Sequence, residues 1–138
     1  MPTEVLNVFM RWLHISSAAI LVGGFVFGRL VLSASAKTLA ADASQALADR
    51  TAALFRPLAI AAMISLVVSG IYNLLYSPGH TLRYEILLIV KLLFAAHIFS
   101  TAILVVRPGH PRRRRLMTGA AISGLVVIAI SEFLRRTY

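Results

Sequence analysis

The sequence predicts an all-α protein, a transmembrane antiparallel four-helix bundle, on three observations. Of 138 residues, 59% are hydrophobic and 14% charged, and the mean hydropathy is +0.82, a balance that no soluble domain of this size needs for its core. The apolar residues gather in four stretches, each near the roughly 20 residues that a helix needs to cross a hydrocarbon core of about 30 Å. Short polar or basic breaks separate the four. These spans use up nearly the whole chain, so one membrane domain is expected, with no separate soluble catalytic or nucleic-acid-binding domain.

The first span is expected over 8–35. The residues before it carry Glu4 and no basic cluster, and the apolar run is too long for a signal peptide, so this span is expected to stay in the mature protein. The second is expected over 53–76, starting near Arg56-Pro57, because proline is tolerated in a first helical turn. Between them, the alanine-rich segment 37–50 favours helix, so both spans are expected to project beyond the membrane. The third, over 83–106, follows the turn Ser77-Pro78-Gly79-His80. The fourth, over 116–134, follows Pro108-Gly109-His110-Pro111 and four arginines. Such short turns make consecutive helices antiparallel neighbours in an up-down bundle.

Charge gives the orientation. Arg29, Lys37, Arg50, Arg56, Arg107 and Arg112 to Arg115 fall at one end of the bundle, against Arg11, Arg83, Arg135 and Arg136 at the other. Lys and Arg concentrate in cytoplasmic loops, which places both termini on the extracytoplasmic side, as in a bacterial inner membrane protein. The net charge of +9 is thereby explained at the ends of apolar segments, and nucleic acid is not an expected partner. The partner is the lipid bilayer. With no cysteine, disulfides, thiolate metal sites and iron–sulfur clusters are excluded. Gly24 and Gly28 form a GxxxG pattern, which reads either as close packing inside the bundle or as the contact of a homodimer.

An ionisable group near the middle of a membrane helix costs about 2.5 to 3.5 kcal/mol on insertion scales, so its presence needs a reason. Lys91 is the clearest case, about 12 Å along its helix from Arg83. His14, seven residues from Asn7, reaches nearly the same depth on the first helix, so the two are expected to face each other. His97 lies about 9 Å deeper than Lys91 and about 120° around the helix. Other polar groups gather toward the same end. Tyr72 and Asn73 close the second span, Tyr84 and Glu85 open the third, and Ser131 and Glu132 close the fourth. His14, Asn73, Glu85, Lys91 and Glu132 are thus expected to shape a polar pocket, although interfaces also attract terminal Glu and Tyr. His80 and His110 lie in turns at opposite faces and are expected to be solvated.

Neutral imidazole ligates haem iron and copper, and four-helix bundles hold cofactors between facing helices. Lysine ligates only after losing its proton. The candidate cofactor ligands are therefore His14, Lys91 and His97, with His14 and His97 also candidates for a bare metal ion. Ala18, Ala19, Gly23, Gly24, Ala95 and Ala96 offer small residues for a haem slot. No Ser-His-Asp set, Walker loop, HExxH motif or CxxC motif is present, so hydrolase, nucleotidase and thiol-redox readings lack support.

Trp12-Leu13-His14 followed by Gly23-Gly24 resembles the first helix of the CopD-like (copper resistance D) membrane proteins. Arg56-Pro57-Leu58 with Ser69-Gly70-Ile71-Tyr72-Asn73 resembles their second helix, and Tyr84-Glu85-Ile86-Leu87-Leu88-Ile89-Val90-Lys91-Leu92 their third. The likeness spans about two thirds of the chain. The related HemJ-type protoporphyrinogen oxidases have a similar first-helix histidine and third-helix lysine, implicated there in binding haem b. By that resemblance His14 and Lys91 are the implied haem residues. Phe27-Gly28-Arg29 stands where the HemJ first helix has Leu-Pro-Arg, so protoporphyrinogen oxidation is not implied.

The expected function is that of an integral membrane b-type haem-binding protein in electron transfer or membrane redox chemistry. One alternative is copper binding or transport, with His14, His97 and Met10 or Met63 passing a soft ion. Another is a non-catalytic membrane subunit in which Lys91 pairs with Glu85 or Glu132.

Overall fold

A computed structural model describes residues 2–76 and 81–135. Four long helices account for nearly all of them. Helix α1 (Pro2–Phe27) has Glu4 in its first turn, where a carboxylate favours the positive end of the helix dipole. It continues through a π-helical turn (Gly28–Leu32), a short α-helical piece (Ser33–Ser35) and a 3-10 turn (Ala36–Thr38). The π turn has a local cause. The Ser33 amide and its hydroxyl, at 2.8 Å, both donate to the carbonyl of Gly28, which draws that bond one residue longer than the α-helical one.

After two extended residues, α2 (Ala41–Leu75) runs 35 residues, about 52 Å. That exceeds any bilayer core, so its alanine-rich start projects beyond the membrane, as composition predicts. The helix does not begin near Pro57, however. Pro57 sits inside it, and the proline is tolerated there because only the Ala53 carbonyl loses its intrahelical donor.

Helix α3 (Leu82–Val105) is capped by Thr81, whose hydroxyl accepts from the Tyr84 N–H at 3.2 Å. Helix α4 (Arg113–Arg135) begins three residues ahead of the expected span. Arg113 turns back over the preceding loop: its Nε donates to the Val105 carbonyl at 3.0 Å, and one terminal nitrogen donates to the Arg107 carbonyl and to Asp49, both at 2.7 Å. Asp49 also accepts from the Gly109 N–H at 3.0 Å, and Gly109 has φ +66°, a left-handed conformation that suits glycine. This clamp ties the α3–α4 loop to α2. The turn 77–80 and Arg136 lie outside the described residues.

Each of these helices is long and apolar enough to cross a membrane, and the chain is an integral membrane protein with a helical bundle. Residue pairs set the directions. His14 meets Ser69, Gly24 meets Phe55, Val22 meets Gly124, Gly28 meets Met117, and Arg83 lies 5.1 Å from the Phe133 ring. Numbers rise on one partner as they fall on the other, so α1 is antiparallel to both α2 and α4, and α3 to α4. The core is made of Leu21 and Phe25 from α1, Ala59 and Ala62 from α2, Ile98, Ala102 and Val105 from α3, and Ala120 from α4. The alanines let backbones approach closely, the usual route to packing where lipid gives apolar groups no preference for the interior.

The neighbour relations depart from the expected up-down ring at one seam. α1 packs on α2 and α4, and α4 on α3, but α2 and α3 touch at few points. A shallow recess of about 250 Å³, lined by Met63, Ile64, Val67, Val68 and Phe99, marks that seam. A short loop constrains the ends of two helices, not their full faces.

Candidate functional site

The seam between α1 and α2 carries a polar ladder. Near the end that carries the start of α1, the Tyr72 hydroxyl donates to Asn7 Oδ1 at 2.7 Å, and Tyr72 stacks on Tyr76 with ring centroids 4.5 Å apart. Two turns along α1, His14 occupies the same face, since seven residues nearly complete two turns. Its Nδ1 lies 2.9 Å from Ser69 Oγ. Ser69 is fully buried, and its hydroxyl donates to the Ser65 carbonyl one turn back. With that proton committed, the Ser69 oxygen acts as acceptor, so His14 carries its proton on Nδ1.

The ordinary fate of a membrane histidine, a bond to a hydroxyl, is therefore met at one nitrogen. Nε2 is left as the unprotonated atom. An imidazole oriented through Nδ1–H, with Nε2 free, is the arrangement found in metal-ligating histidines. Gly70 makes room for the ring, since a Cβ there would lie 3.4 Å from His14 Cε1.

Lys91 is half-buried on α3. Among the described residues its ammonium has no hydrogen-bond or ion-pair partner. Glu85 and Glu132 are exposed. The glutamates sit where interfaces attract them. Asn73 is half-buried near the end of α2 and Tyr84 is buried at the start of α3. Of the expected pocket, His14 lies on α1 at the seam with α2 and Lys91 lies on α3, beside the loose α2–α3 seam.

His97 lies elsewhere. It is exposed, and its Nε2 would be 3.5 Å from a Cβ on Gly119 of α4. Its place is the α3–α4 seam, as its angular offset from Lys91 anticipates. His110 is half-buried at the arginine-rich end and its Nδ1 accepts from the Arg112 N–H at 3.3 Å. His80 is outside the described residues. Ser69 is the partner of His14 that sequence reasoning did not single out, because a serine in an apolar helix signals nothing until its partner 55 positions away is known.

Gly24 and Gly28 are both used inside the chain. A Cβ on Gly24 would collide with the Phe55 ring, and one on Gly28 with the Met117 methyl. Ala19, Gly23 and Gly24 do line a cavity of about 880 Å³, but it opens toward the arginine-rich end, and His14, Lys91 and His97 are not among its walls. No family model, curated protein or solved structure matches the chain.

Proposed function

We propose that this chain is an integral membrane b-type haem-binding protein, serving electron transfer or oxidation of a membrane-accessible substrate, with His14 an axial ligand through Nε2. The observation that carries this reading is the His14–Ser69–Ser65 relay. It fixes the imidazole at membrane depth and leaves one nitrogen with an unused lone pair. Lys91, on α3, would be the second side chain to hold the haem, once its amine has lost its proton. Bound there, haem would supply one-electron redox chemistry. The chain's own role is to orient the imidazole, to raise its donor strength through Ser69, and to keep water from the ring by burial between α1 and α2. The likeness of Trp12-Leu13-His14 and the Lys91 segment to CopD-like and HemJ-type proteins supports the same pair.

Copper is less well served. Among the described residues no three His, Asp or Glu side chains come together to hold an ion, whereas haem carries its own four equatorial nitrogens and needs only axial donors. The scaffold reading loses its support where Lys91 lacks a glutamate partner. By the distribution of Lys and Arg, both termini are assigned to the extracytoplasmic side of a bacterial inner membrane.

The test is an absorption spectrum, oxidised and reduced, of detergent-purified protein from haem-supplied cells, with metal analysis alongside. A Soret band and sharpened b-type bands on reduction are expected. No Soret band in any preparation, with copper at one ion per chain, overturns the proposal.

A further inference from the structure

We propose that the cavity at the arginine-rich end binds one anionic phospholipid, with an acyl chain against α1 and α2 and the phosphate between Lys37 and Arg114. Asn7–Tyr72 and His14–Ser69 hold α1 to α2 at one end. At the other, the extended residues Leu39 and Ala40 separate the two helices, leaving a cavity of about 880 Å³. The character of its lining changes with depth. Ile20, Phe27, Leu54 and Leu58 make an apolar trough that is open to the lipid side, since all four are well exposed.

At the mouth the lining turns basic, with Lys37, Arg113 and Arg114, beside the hydroxyls of Ser33 and Ser44. No carboxylate lines it. Asp49, the acidic group next to this rim, is engaged by Arg113, whose own donors are also taken by the Val105 and Arg107 carbonyls. Lys37 and Arg114 have no ion-pair partner among the described residues. An occupant must therefore be apolar for most of its length and anionic at one end, with the anion at headgroup level. Basic pockets between membrane helices recognise phosphate headgroups in this way. A neutral quinone would fill the trough and leave both cations uncompensated, and a zwitterionic lipid would bring its own ammonium to a rim that is already basic. The site is separate from His14 and Lys91, so it stands or falls apart from the haem reading.

Native mass spectrometry of the intact protein tests it, in detergent with equal phosphatidylglycerol and phosphatidylcholine of matched chains. One retained phosphatidylglycerol per chain is expected. The double variant Lys37→Ala, Arg114→Ala should lose about 25-fold in retention, about 5-fold per charge, while Arg112→Ala, Arg115→Ala, at the same end but outside the lining, should stay within about two-fold. Gly23→Leu keeps every charge and projects into open space, where a Cβ meets nothing within 4 Å, so it should plug the trough and abolish retention. Equal retention of both lipids overturns the proposal. So does an equal loss in the two arginine-containing doubles, or full retention by Gly23→Leu. Wild-type protein gives a readout free of folding effects: a photoactivatable phosphatidylglycerol should label residues 20–28 and 54–58, and labelling confined elsewhere also overturns it.

Discussion

Ser69 accepts the Nδ1 proton of His14 at 2.9 Å because its own hydroxyl proton is committed to the Ser65 carbonyl. One bond therefore sets the ring's position, its tautomer and the direction of its remaining lone pair. Substitution at either end breaks it, with different consequences.

His14→Ala should remove the Soret band from protein purified after haem supplementation. His110→Ala and His80→Ala should keep it. If instead Gly23→Leu removes the band and His14→Ala spares it, the tetrapyrrole occupies the arginine-end cavity and His14 is structural.

Ser69→Ala leaves the His14 N–H without its partner and weakens the imidazole as a donor. Haem affinity should fall by about ten-fold, the lower range for loss of a ligand's supporting hydrogen bond, and the midpoint potential should move positive. Ser69→Thr should restore both. A titration with haem and a redox titration measure them.

Lys91→Met removes a half-buried cation that no carboxylate balances. Thermal unfolding in detergent should show stability unchanged or raised by about 1 kcal/mol, because no partner is orphaned. In haem-loaded protein Lys91→Leu, which unlike methionine has no atom that can ligate iron, should convert a six-coordinate spectrum to a five-coordinate, high-spin one. A stability loss without a spectral change would show Lys91 to be a structural residue.

Gly24→Leu and Gly28→Leu should each destabilise the monomer by about 1 to 3 kcal/mol, the cost of forcing bulk into filled space, here the Phe55 ring and the Met117 methyl. Were the pair a contact between chains, crosslinked dimer would vanish while the unfolding temperature held.

Arg113→Ala should cost about 3 kcal/mol, as expected when one partner of a buried ion pair is removed, because it strips acceptors in α2 and the α3–α4 loop at once. Asp49→Asn should cost less, since Arg113 keeps its two carbonyl acceptors. Unfolding curves of the two variants rank them.

Much of this architecture is legible from residue order. The third helix is anticipated within one residue at each end, because the sequence Ser77-Pro78-Gly79-His80 precedes it and Pro108-Gly109-His110-Pro111 follows it. Depth counting along 1.5 Å steps brings His14 and Lys91 to a common level without any knowledge of packing. The misplaced features are those decided by tertiary contact. Pro57 reads as a helix start, yet alanines from Ala41 onward carry the helix past it. Arg113 reads as belonging to a polar break, yet its guanidinium finds the carbonyls of that very turn and makes it a first helical residue. Glu85 and Glu132 share a membrane end with His14, but common height does not fix azimuth, and both turn outward. His97 is assigned to a different face by rotation alone, and its neighbour Gly119 shows which face.

The thin junction of α2 with α3 decides how any flat guest could arrive. Three sides of the bundle are stitched by alanine contacts and polar rungs, while the fourth is merely lapped. A ligand seeking His14 from water would have to unpick Asn7 from Tyr72. From the hydrocarbon, a guest of the kind proposed would need only to part the apolar faces around Met63, Val67 and Phe99, and on that reading it would load from the side.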